Sequence, residues 1–175
     1  MSFDLHTASV PVFQRYLERL DGLVLTAQRH TQSHKLAAHE LLGARLASDM
    51  APFSGQVEMA AHFALRACFP LAGRPVPAHG EFASDFEGLR GRIAQALALL
   101  AELSPADFDL APGRRLESQA GSARVSLPAA EFLTLYALPN FFFHLGSAYA
   151  VLRSLGLPLG KQDFDGFHHY PSSPP

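Results

Sequence analysis

The sequence predicts an all-α protein, a four-helix bundle with one small β-hairpin placed before the last helix. Three observations carry that prediction. Three long segments repeat apolar residues at spacings of three and four, the period of an amphipathic helix. A fourth long segment carries no charge along most of its length. Between the third and fourth, Arg114 to Leu127 alternates loosely on both sides of Gly121-Ser122, as a hairpin does.

The first helix is expected from about His6 to His34, with Ser9 and Pro11 as start signals, because a proline there gives up only a donor that had no partner. Val10, Phe13, Leu17, Leu20 and Val24 form its stripe. Ala37 to Leu46 suits a short connecting helix. A second long helix spans Pro52 to Leu71, with Asp49 as its expected cap and Val57, Ala61, Ala64 and Cys68 as its narrow face. Gly73, Pro75 and Pro77 end it and open a loop to Gly80. Ser84 reads as the N-cap of the third helix, with Glu87 in capping-box spacing. The stripe there is Phe86, Leu89, Ile93, Leu97 and Leu100, and Ser104-Pro105 stops it. The fourth helix runs from Pro128 to about Leu155 and is closed by Gly156 and Pro158. These elements make one helical-bundle domain over residues 1–166, followed by a flexible Pro/Ser tail over 167–175.

Composition narrows the function. With 48% hydrophobic and 17% charged residues, the bulk of the 175-residue chain can bury a real core. The 14 Lys+Arg against 16 Asp+Glu leave no basic face, which excludes nucleic acid as an expected partner. The single cysteine, Cys68, excludes an internal disulfide and a multi-cysteine metal knuckle, and on a helix stripe it reads as a small hydrophobe. Met1 to His6 lacks a basic stretch followed by an apolar one, so it is no secretory signal and a cytoplasmic protein is expected.

The run from Phe132 to Leu152 is uncharged throughout and matches the roughly 20 residues of a membrane span. A buried bundle helix is the favoured alternative. Pro139, Asn140 and His144 sit near its middle, where hydrocarbon would penalise them most. The flanks carry no Lys/Arg cluster, and the amphipathic helices need an apolar surface to cover. No membrane partner is therefore expected. Pro139 has no N–H for the Leu135 carbonyl, so the helix should kink there and leave that carbonyl in need of a partner.

Candidate chemistry gathers on two helices. Glu58 and His62 are i,i+4 on the second long helix, and Asn140 and His144 are i,i+4 on the fourth. If those faces meet, a carboxylate, an amide and two imidazoles converge, a donor set that suits zinc, nickel or iron. His62 and His144 are then the metal ligands, with Glu58 as third ligand or catalytic base. The alternative is structural: His144 bonds a freed carbonyl in the core while Glu58 and His62 lie at the solvent boundary. His30 and His34 share the same spacing but sit at a helix C-terminus, where a cation is favoured by the dipole alone. His168 and His169 are given no role. No nucleophile elbow or phosphate-cradling glycine loop is present.

Four motifs in order carry a resemblance. They are Ala8-Ser9-Val10-Pro11-Val12-Phe13, Ala44 to Met50, Ala137-Leu138-Pro139-Asn140-Phe141-Phe142-Phe143-His144, and Gly156 to Phe164. Together they resemble an uncharacterised bacterial family, domain of unknown function nineteen ninety-three, of the DinB/YfiT-like superfamily. The resemblance covers about residues 5 to 166. It implies an up-down-down-up four-helix bundle, commonly dimeric, and in many relatives a metal held by one histidine on the second helix and an H-x-x-x-H pair on the fourth. His62 and His144 match two of those positions, but Ala148 and Asn140 stand where the pair's second histidine would be. The expected function is an atypical or degenerate metal-dependent enzyme with its site between the second and fourth long helices. The alternative is a non-catalytic homodimeric bundle that binds a protein partner or a small apolar ligand near Pro139, in a pocket lined by Asn140, Phe141, Phe142 and Tyr149.

Overall fold

The apolar stripe of the first segment becomes α1, Val10–His34, with Val10, Phe13, Leu17, Leu20 and Val24 all buried. It is the first element of a computed structural model that describes residues 4–78 and 80–169. Helix α1 ends where Lys35 takes a left-handed conformation at φ 53°, and the Leu36 N–H bonds back to the Thr31 carbonyl at 2.9 Å. A short α2, Ala38–Gly43, leads to α3, Phe53–Leu71. The expected narrow face of α3 is buried, but Asp49 does not cap it; Pro52 holds that position without a side-chain bond.

Helix α4, Phe86–Ala101, starts one residue later than Ser84 suggested. Asp85 is the N-cap, and its carboxylate accepts the Gly88 N–H at 2.8 Å. The acceptor oxygens and negative charge of Asp suit a helix N-terminus at least as well as the Ser hydroxyl does. Within its stripe Leu97 is only half-buried, and Ala96 takes the core position instead. Strands β1, Arg115–Ala120, and β2, Ala123–Pro128, pair antiparallel around Gly121-Ser122, which confirms the hairpin.

The last long helix is built in three pieces: α5, Ala129–Glu131; a π-helical segment, Phe132–Ala137; and α6, Leu138–Ser154. The irregularity expected at Pro139 thus lies one turn earlier. The wider π turn directly precedes the proline, whose ring and missing N–H disfavour a regular α turn onto the Leu135 carbonyl. A short α7, Lys161–Asp165, follows, which no helical period in the sequence announced. Residues 170–175 of the expected tail lie outside the described residues.

Helix α3 packs against α6 and α4, while α1 packs against α4 and α7. Aromatic rings lock α1 to α6: Phe13 meets Phe141 edge-on at 4.9 Å, and Tyr16 meets Phe142 at 4.8 Å. Among the described residues no helix is long and apolar enough to cross a membrane. The uncharged helix is a bundle helix.

Candidate functional site

His144 is held between α3 and α6, the two helices that the sequence marked. Its Nδ1 lies 2.8 Å from Gln56 Oε1, and Gln56 is itself buried with its Nε2 3.1 Å from the Ala51 carbonyl. The Ala51 carbonyl can only accept, so the Gln56 nitrogen must face it and the Gln56 oxygen must face the histidine. His144 therefore donates its Nδ1–H, and in its neutral form the lone pair sits on Nε2. The ring stacks on Phe63 at 5.5 Å and meets Phe143 edge-on at 5.3 Å. Burial among these partners pulls the imidazole below its ordinary value, so the neutral form is favoured.

Glu58 and His62 do not join it. At about 100° per residue, they point roughly 120–160° around α3 from Gln56. Glu58 is exposed and pairs with Arg92 of α4 at 3.9 Å. His62 lies with Arg66, Glu117 and Ser118 around an open hollow beneath the hairpin. There Arg66 ties α3 to the hairpin and the π segment, since its guanidinium donates to Ser118 and, at 2.7 Å, to the Gln119 carbonyl, 3.5 Å from the Tyr136 hydroxyl.

A three-ligand metal site does not fit these residues. A ligating histidine usually donates its second ring N–H to a neighbour, and the Gln56–His144 pair has that feature. Nothing else matches. Ala148 is fully buried, and Asn140 spends its amide on the Tyr136 carbonyl at 2.7 Å. Among the described residues no group of three or more His, Cys, Asp or Glu could hold an ion. The expected convergence of Glu58, His62, Asn140 and His144 fails because the residues of α3 that face His144 are Gln56 and Phe63.

The aromatic residues expected to line a pocket are packed instead. Phe141 is fully buried against Phe13, and Tyr149 meets Phe164 of α7 edge-on at 5.7 Å. The Asn140 side chain donates to the Tyr136 carbonyl one turn back, not to the Leu135 carbonyl for which Pro139 has no N–H. Cys68 is buried, and burial pushes its thiol up, away from the reactive thiolate. His30 and His34 stack on each other at 4.1 Å at the end of α1.

Sequence reasoning missed a second feature. A hollow of about 940 Å³ opens between the N-terminal end of α1, the two single-turn 3-10 helices Pro105–Phe108 and Ala111–Gly113, and the start of the last helix. Leu5, Ala8, Val12, Phe108, Leu133 and Leu138 line it. Its walls come from three distant stretches of chain, so no single motif announces it. Ala8 and Val12, in the first of the four motifs, and Leu138, in the Pro139 motif, were the available signals.

This arrangement, long helices with a hairpin before the last, is a DinB-like bundle. The chain belongs to the family described as Domain of unknown function (DUF1993), whose profile matches residues 5–165. It is also similar to the crystal structure of a DinB family member protein from Shewanella denitrificans. That protein is 31% identical, the match covers 97% of this chain and 96% of the other, and the TM-score is 0.85. No curated protein matches the chain.

Proposed function

We propose that this chain is a non-catalytic DinB-like bundle that binds a small apolar ligand beside its π segment. The observation that carries this reading is the hollow of about 940 Å³ with largely apolar walls, near the upper end of the roughly 300–1,000 Å³ typical of ligand sites. Thermal-shift screening with small apolar compounds tests it, because a ligand that prefers the folded state raises Tm. A screen in which no such compound moves Tm would sink it.

The Gln56–His144 pair favours a second reading, an atypical metal enzyme, but it supplies one ligand only. Metal analysis of purified protein separates the two. The expected result is no stoichiometric zinc, nickel or iron; a stoichiometric metal that disappears in His144→Ala would reinstate the metal reading.

We also propose that the bundle is a homodimer. Leu135 is 68% exposed and Phe143 57% exposed, both on the uncharged outer face of the last helix. Exposed apolar residues on one helix face are what a partner surface needs. Light scattering should give twice the chain mass, and Phe143→Glu should give a monomer.

A further inference from the structure

Beyond its apolar walls, the hollow has a rim of one charge sign. Asp4 and Asp109 are among its lining residues, and among the described residues no Lys, Arg or His lines it. Asp4 is held ionised: its carboxylate accepts the Thr7 N–H at 2.8 Å, which keeps it below its ordinary value. Asp109 is exposed. Thr134, on the π segment, gives its hydroxyl hydrogen to the Ala130 carbonyl at 2.8 Å, so toward the hollow its oxygen can only accept. Acceptors and negative charge at the mouth suit a donor that is positively charged. A carboxylate or phosphate head would meet like charge, with no cation among the described lining side chains.

On the reading that this hollow is a ligand site, we infer that it selects amphiphilic amines, an apolar body carried by a protonated nitrogen that rests between Asp4 and Asp109. The apolar body supplies affinity that is common to many compounds, whereas the charged rim supplies the discrimination. An exposed carboxylate–ammonium contact is a modest interaction, so the preference is a matter of several-fold rather than orders of magnitude.

The test uses three probes with one apolar body: n-octylamine, n-octanol and octanoate, titrated at pH 7 by calorimetry and by thermal shift. Octylamine, protonated at that pH, should bind roughly fivefold tighter than octanol, and octanoate weakest. In Asp109→Asn, a surface change, octylamine should fall toward octanol while octanol is unmoved. Thr134→Trp, which fills the hollow from an exposed position, should abolish binding of all three. Equal binding of octylamine and octanol, tighter octanoate, or an unchanged ratio in Asp109→Asn overturns the amine preference and leaves the hollow a ligand site. Binding that survives Thr134→Trp places the probes elsewhere and overturns it too. If none of the three binds, the ligand-site reading falls with it.

Discussion

Helix α1 and the last long helix cover one core from opposite ends of the chain, yet they are built by different means. In α1 the charged and polar residues alternate with the apolar ones, and burial follows that alternation. The last helix has no charge from Phe132 to Leu152, so its inner face is not marked by contrast with an outer one. It is chosen by shape: Phe132, Phe141, Leu145 and Ala148 turn inward, while Leu135 and Phe143 remain exposed. A helix with alternating pattern needs no partner on its outer side. An apolar one leaves an outer side that calls for cover.

The largest test of that contrast is in the shared core. Phe141→Ala and Leu17→Ala should each destabilise the fold strongly, by about 3–5 and about 2–5 kcal/mol respectively in urea unfolding. A loss below about 1 kcal/mol at Phe141 would show that the apolar helix is not specified by packing.

The next test is local to the last helix. Asn140→Ala removes the donor to the Tyr136 carbonyl and should cost about 1–2 kcal/mol. An unchanged midpoint would mean that water serves that carbonyl equally well.

A smaller, pH-dependent effect is expected from His144. Its partners, Gln56, Phe63 and Phe143, are all uncharged, and its folded value lies below that of the unfolded chain. Below about pH 6.5 the unfolded state therefore takes up a proton first. Stability is complete above that value and declines as pH falls toward the folded one. The difference in stability between wild type and His144→Gln, measured between about pH 7.5 and 5, should fall with this slope as pH falls. A difference that stays flat would rule out the depressed value.

The smallest effect separates the two outer faces. Glu18→Gln on the exposed side of α1 should change stability by less than about 0.5 kcal/mol. Phe143→Gln should act differently, removing the dependence of Tm on protein concentration that a dimer confers. If both variants behave alike, the two outer faces are equivalent.

The same contrast explains what could be read in advance. The stripe of α1, the narrow face of α3 and the Gly121 hairpin were legible because each is a local pattern with a period. The capping choice between Ser84 and Asp85 was not, since both are good N-caps and one step of backbone geometry decides. Helix α7 was hidden because its five residues are too few to show a period. The candidate site was half legible. Histidine at 144 was singled out, but Gln56 was missed, although it stands with Ala60 and Phe63 as the one polar residue on a buried face. Glu58 and His62 drew notice by their chemistry, and helix geometry turned them elsewhere. The hollow was illegible because its walls are distant in sequence.

The π segment has a further consequence. A wide turn of this kind is equivalent to one residue inserted in an α-helix, and one residue is about 100° of rotation. The stretch that holds Ala130, Leu133 and Thr134 is thereby set in azimuth independently of the stretch that holds Phe141 and His144. Removal of Leu135 alone would close the helix to a regular one and swing the first stretch about a quarter-turn, taking its residues out of the hollow's wall. The environment of His144 would stay in place. A single codon's length of sequence thus uncouples two surfaces carried on the same rod.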